Sequence, residues 1–306
     1  MLGPVCLLAL GACGAGDEAQ AQRDGASTEA EVPREAGSIC TVSAPPINLP
    51  EEVRETSGLA GSARGPELFW THNDAGNRAE LFSVDAAGRL VQRVSVDGVE
   101  AIDWEDIENG SCDGAGCLFV GDIGDNDAER QTITIHQVLE PGPEATQVGV
   151  AATIQARYPD GPRDAEGLFR LPDGSLYVVT KGREGPIELY RIPRPAAEGV
   201  VVMERVRELL PQPEDELDRV GAATASPDGK WVAVRSYRNL YLYRASALVG
   251  DSGEPDPIVV GLGMVEQPQG ESIVLGSDGT VWMTSEAANR DSAPTLAALR
   301  CTLPAD

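Results

Sequence analysis

Glu105, Glu166 and Glu271 stand at matching steps of a recurring segment, and Asp103 and Asp164 each precede one of them by two residues. Side chains two apart on an extended strand point to the same face. Each aspartate is therefore expected to share a face with the glutamate that follows it. Like charges packed closely repel and push one another's pKa values up unless something neutralises them. A hard divalent cation is the economical neutraliser, and calcium takes six to eight oxygens from carboxylates, carbonyls and water. The run Asp122-Ile-Gly-Asp-Asn-Asp127 adds oxygens around a turn glycine, without the terminal glutamate of an EF-hand loop. The expected metal ligands are Asp103, Glu105, Asp122, Asp125, Glu166 and Glu271, with calcium as cofactor. The alternative is structural. Carboxylates at strand starts also accept hydrogen bonds from neighbouring backbone, and Arg219 and Arg235 are on hand to pair with them.

Three further residues belong to the same neighbourhood. The segments LFWTHND, LFVGDIGD, LYVVTKG, WVAVRSY and VWMTSEA each read as the next strand of a copy. Their ends are expected to bring His72, Asp122, Thr180, Arg235 and Ser285 beside the carboxylates, and one step on Asn73, Ile123, Lys181, Ser236 and Glu286. His72, beside Asn73-Asp74, suits a general base, a metal ligand or a hydrogen-bonded wall residue. Lys181 and Arg235 are the cations of the group. Gly250-Asp-Ser-Gly253 reads as a loop, and His136 as a structural residue in mid-strand.

The elements that must position these groups come from the repeat. Five copies recur at about fifty residues, a spacing that signals a repeat architecture. They begin Glu55-Thr-Ser-Gly-Leu59, Asp103-Trp-Glu-Asp-Ile107, Asp164-Ala-Glu-Gly-Leu168, Arg219-Val-Gly-Ala-Ala223 and Gln269-Gly-Glu-Ser-Ile273. In three copies an Asp-Gly turn follows (Asp173-Gly174, Asp228-Gly229, Asp278-Gly279). Asp-Gly between apolar runs is a hairpin signal, with positive φ expected at both residues. Short antiparallel strands, few helical segments and many Gly/Asp turns predict an all-β fold, a β-propeller of four-stranded blades. Five blades is the expected count. Six is the alternative, because residues 140–160 have room for an irregular element. The fifth copy supplies only three strands, so the N-terminal SICTVSAP is expected to close the ring. Trp70, Tyr177 and Trp282 fall where packing between blades needs bulk.

Cysteine placement agrees with closure. Cys112 and Cys117 flank a hairpin turn and are expected to staple it. Cys40 lies on the closing strand and Cys301 on its expected neighbour. A bridge there closes a loop of more than 200 residues, which in the simple chain-entropy model is worth ~4–5 kcal/mol. Without a Cys-x-x-Cys pair and with two histidines, a zinc site is not expected.

Residues 1–13 are short and apolar and end in Leu10-Gly-Ala-Cys13, which resembles the lipobox of bacterial lipoproteins. That resemblance implies a cleaved signal, a lipid on Cys13 and an extracytoplasmic protein, at the outer membrane if the source is diderm. Residues 14–38 hold almost no large apolar side chains and are expected to form an acidic, disordered tether. Residues 39–306 are then one propeller domain. A net charge of −25 argues against nucleic acid and anionic membranes as partners. The membrane is expected only through the lipid, the ligand is a small molecule or a surface group, and the chain is expected to be a monomer.

The runs Ser-Gly-Leu-Ala, Trp-Glu-Asp-Ile, Gly-Asp-Ile-Gly-Asp-Asn, Asp-Ala-Glu-Gly and Gln-Gly-Glu-Ser resemble secreted bacterial propellers of the phytase-like group. Ser226-Pro-Asp-Gly-Lys230 followed by WVAV resembles the TolB-type propeller repeat. The likeness spans residues 54–303. It implies calcium held by mouth carboxylates, for which Glu105, Glu166, Glu271, Asp122 and Asp125 qualify, and phosphate held by Lys181, Arg219 and Arg235. On that basis the chain reads as a calcium-dependent hydrolase of phosphoric esters, the metal activating a water and Lys181 and Arg235 holding the anion. A non-catalytic binding propeller with a structural ion is the other reading, and a two-carboxylate glycosidase the third.

Overall fold

The computed structural model describes residues 39–193, 199–250, 253–267 and 269–305. The expected leader, tether and lipidated Cys13 lie outside the described residues. Four-stranded antiparallel units repeat along the chain, the first two of them joined into one larger sheet by a parallel pairing of their outer strands. Strand β1 (Cys40–Asn48) stands apart from the strands that follow it directly in sequence. The first sheet runs β2 (Thr56–Gly61), β3 (Leu68–Asn73), β4 (Glu80–Asp85) and β5 (Leu90–Asp97). The second runs β6 (Trp104–Cys112), β7 (Ala115–Asp122), β8 (Ile133–Leu139) and β9 (Gln147–Arg157). The third takes β10 (Ala165–Arg170), β11 (Leu176–Thr180) and β12 (Ile187–Ile192), passes the short β13 (Val201–Val202), and ends with β14 (Glu204–Leu210). The fourth is β15 (Val220–Ala225), β16 (Trp231–Ser236), β17 (Asn239–Arg244) and β18 (Ile258–Gly261). The last is β19 (Val274–Leu275), β20 (Thr280–Ser285) and β21 (Thr295–Cys301), and β1 pairs antiparallel with β21 as its outer strand. This is a β-propeller whose ring is closed by its N-terminal strand.

Apolar cores fill the spaces between successive sheets. Trp70, Leu81 and Val94 meet Trp104, Ile107 and Leu118 between the first and second. Ile135 and Phe119 meet Val178 and Tyr190 between the second and third. Phe69 and Phe82 meet Leu296 between the last sheet and the first, so the packing also closes. Inner strands such as β15 are buried at every residue, whereas the outer β5 alternates buried and exposed. That gradient is what radial stacking of sheets requires. Cys40–Cys301 clasps β1 to β21, and Cys112–Cys117 staples the β6–β7 hairpin.

One local feature differs from expectation, the conformation of the Asp-Gly turns. In the Asp-Gly turns only Gly174, Gly229 and Gly279 have positive φ, at 81°, 69° and 80°. The amide of each donates three residues back, to the carbonyls of Leu171, Ser226 and Gly276. The aspartates instead use their carboxylates, accepting from the amides of Ser175, Lys230 and Thr280 at 2.8, 3.2 and 3.0 Å. Residues 147–157 form the single long strand β9. It pairs antiparallel with β8, and in parallel with β5 at one end and β13 at the other.

Candidate functional site

A bulge in the inner strands aims the glutamates. In β6, Trp104 pairs with Asp122 and Asp106 with Gly121, leaving Glu105 as the extra residue. In β10, Glu166 is the extra residue between Ala165↔Thr180 and Gly167↔Val179. Gly221 is the extra residue of β15. A bulge leaves its extra residue unpaired and redirects the side chain. Glu271 lies just before β19, and its amide donates to Thr284 O at 3.3 Å.

The partner strands supply the rest. The amides of Asp74, Ile123, Lys181 and Glu286 donate to the carbonyls of Glu55, Asp103, Asp164 and Gln269 at 2.9, 3.1, 2.9 and 2.9 Å. Register places Asn73, Asp122, Thr180 and Ser236 at equivalent steps, so Asp74, Ile123, Lys181 and Tyr237 follow as equivalents. Counting along the sequence puts His72 and Arg235 at these steps, one residue early. β3 and β16 have six residues where β11 has five, so counting from the far end of the strand misses by one.

Two carboxylate triads result. Asp74, Asp103 and Glu105 each offer an oxygen within 4.8 Å of the others, and so do Glu105, Asp164 and Glu166. Burial, with Asp74 and Asp164 nearby, pushes Asp103 up to about 6. Burial and the facing Glu166 hold Glu105 well above the usual range. Glu166 is also raised, because burial outweighs the pull of Lys181. Burial lowers the Lys181 ammonium, but Glu166, Glu105 and Asp164 together hold it above its ordinary value. Lys181 Nζ is ion-paired to Glu166 Oε1. Asp103 is 8% exposed, and its buried Oδ1 has no hydrogen-bond partner. Gly124 faces this triad, and a Cβ there would overlap the carboxylates of Glu105 and Asp103.

Other expected residues lie nearby in different roles. Asp122 accepts from the amides of Ile102 and Asp103, both at 3.2 Å, and from Arg130 at 2.7 Å. Asp125 accepts from the amides of Glu129 and Arg130 at 2.9 and 2.8 Å. These two carboxylates shape the loop that carries Gly124. Glu271 is hydrogen-bonded to Tyr237, and burial with Glu286 nearby pushes it up to about 7. His72 is fully buried, packs edge-on against Trp104 at 5.6 Å, and sets Nδ1 3.1 Å from Asn73 O. Burial pulls it down to about 4, so the ring is neutral at pH 7. Arg235 donates to the carbonyls of Ser272 and Thr284, both at 2.8 Å, and to Gln267 at 3.1 Å. Its guanidinium lies against Gly270, where any Cβ would overlap it.

Sequence reasoning misses Asp74, Tyr237 and Asp106. Asp74 and Tyr237 are hidden by the one-residue slip. Asp106 accepts from the amides of Ile107, Leu168 and Ala223 at 2.9, 2.8 and 3.2 Å, tying β6 to β10 and β15. It fulfils the alternative in which a strand-start carboxylate serves a neighbouring blade.

No family model matches the chain, and no curated protein matches it. Solved structures do. The PQQ-bound aldose sugar dehydrogenase from Streptomyces coelicolor superposes with a TM-score of 0.52 at 12% identity, over 89% of this chain and 100% of that one. A protein from Thermus thermophilus assigned as an oxidoreductase (glucose dehydrogenase) gives 0.46 at 12% identity, over 85% and 99%. At such identity the likeness is one of fold, and the fold is the propeller.

Proposed function

We propose that the chain is a five-bladed extracytoplasmic propeller whose mouth binds a divalent cation, calcium by its all-oxygen donors, and presents it to a small-molecule or surface ligand. One observation carries this reading: within the Asp74–Asp103–Glu105 triad, a buried carboxylate oxygen of Asp103 has no partner in the protein. An unpaired buried carboxylate is costly, and a bound cation removes that cost. Six to eight ligands would be completed by water and carbonyls. Both disulfides suit an oxidising compartment, and among the described residues no helix is long and apolar enough to cross a membrane. Attachment through lipid on Cys13 belongs to the same proposal, and Cys13→Ser should release the protein from the membrane fraction.

Calorimetric titration of the full chain with calcium tests the reading. Saturable binding that is weakened in Asp103→Asn supports it. An absence of heat, with a melting curve unchanged by calcium, rules it out.

Hydrolysis of phosphoric esters is the second reading, favoured by the Lys181 ammonium beside the triads. In this arrangement Lys181 would hold the anion. His72 is sealed against Trp104 and Arg235 is committed to main-chain carbonyls. Calcium-dependent release of phosphate from an aryl phosphate selects this reading. Calcium-dependent stability without turnover selects the binding propeller.

A further inference from the structure

The two triads share Glu105 but are not alike. In the first, Asp103 keeps an unpartnered oxygen. In the second, each flanking carboxylate already has cationic or amide partners. Glu166 Oε1 meets Lys181 Nζ. Asp164 Oδ1 accepts the amide of Asp125 at 2.9 Å, and Asp164 Oδ2, which like Asp103 Oδ1 has no hydrogen-bond partner, is ion-paired with Arg183 Nε at 3.3 Å. Lys181 is 9% exposed, so its ammonium sits inside the protein. The backbone of Lys181 is clamped on both sides. Its amide donates to Asp164 O at 2.9 Å, and its carbonyl accepts from Val220 N at 3.1 Å. The side chain is thus delivered to the second triad from a fixed base.

We propose that Lys181 is a built-in cation that fills the Glu105–Asp164–Glu166 triad, so that the native protein takes one divalent ion and removal of the lysine charge opens a second metal site. This rests on the reading of the first triad as a metal site. Buried carboxylates need a counterion. An ammonium is a compact point charge with three donors, suited to a group of carboxylate oxygens. Because it is covalently attached, it competes at high effective concentration against any ion from solution. It occupies the place a second metal would take, and leaves the first triad as the open one.

The test is a count of bound ions. The full-length protein, stripped with chelator, is dialysed to equilibrium against calcium and the bound metal measured. The native chain should bind one calcium and Lys181→Met two. In Lys181→Met/Glu166→Gln the count should return to one. Lys181→Gln, which keeps a hydrogen-bond donor but loses the charge, should also bind two, and it serves if the Met variant does not fold. Calcium should raise the melting temperature of the neutral variants more than that of the native chain. If the native chain binds one ion and the neutral variants also bind one, the tethered-cation idea is overturned and the first site stands. If neither binds calcium, the metal reading itself falls and this inference falls with it.

Discussion

Lys181 and Glu166 belong to one hairpin: Glu166 is the extra residue of the β10 bulge, and Lys181 is the first residue beyond β11, which pairs with β10. The ion pair is therefore set by local register and does not depend on how sheets dock. Replacing Lys181 by Met leaves buried carboxylates uncompensated, which in other buried pairs costs about 3–5 kcal/mol. In chelator, urea denaturation should show a loss of that order. Calcium should restore part of it, and an unchanged midpoint would mean that Lys181 stabilises nothing.

Stability should fall as pH rises from 5.5 to 8. Burial raises Glu108 and Glu271 to about 7, and Glu286 to about 8, against an ordinary value of 4.5. A carboxyl raised in the folded state binds its proton more tightly there than in the unfolded chain. Its contribution is complete below about 4.5 and is lost as pH rises towards 8. Chelator-treated protein should therefore have a higher urea midpoint at pH 5.5 than at pH 8. A midpoint that climbs across this interval would show that these groups are ionised in the fold at little cost.

Asp106 should matter to stability and not to cation binding. Its carboxylate serves three amides, those of Ile107, Leu168 and Ala223. A buried donor left without an acceptor costs about 1–3 kcal/mol. Asp106→Ala should destabilise the protein by about 3 kcal/mol or more, and Asp106→Asn by less. Calcium stoichiometry, measured below the melting range, should stay at the native value.

The Cys40–Cys301 clasp joins residues 261 apart, whereas Cys112–Cys117 spans 5. Chain-entropy arguments give the long loop the larger effect, about 4–5 kcal/mol in the simple model. Cys40→Ser should lower the melting temperature much more than Cys112→Ser. Non-reducing peptide mapping should recover both bridges, and a Cys40–Cys112 peptide would contradict the closure.

The ring, its closing strand and both bridges are legible in the sequence because each has a local signal: a repeated turn, an apolar strand, a cysteine at each end. Glu105 and Glu166 are legible for a reason only half right. Alternation places each on one face with the aspartate two residues before it, but each is the extra residue of a bulge, which redirects its side chain. A strand one residue longer carries no marker in composition, so its end cannot be counted from its start, and β3 and β16 have six residues where β11 has five. That is why His72 and Arg235 stand in for Asn73 and Ser236, and why Asp74 and Tyr237 go unseen. Asp122 and Asp125 look like ligands by type. Their oxygens face loop amides and Arg130, a distinction that depends on backbone direction and not on residue identity.

Strand β9 carries one more consequence. At 11 residues it is the longest strand of the fold among the described residues, and within its own β6–β9 unit it is the outer strand. An open edge of that length is a template on which other chains can pair and aggregate. Here Gln147–Gly149 are covered by Ser95–Asp97 of β5, and Ala156 and Arg157 by Val201 and Val202 of β13. Neighbouring blades thus lend short segments that leave only the middle of β9 open, and a chain shortened at either lending segment should be more prone to self-association than the native protein.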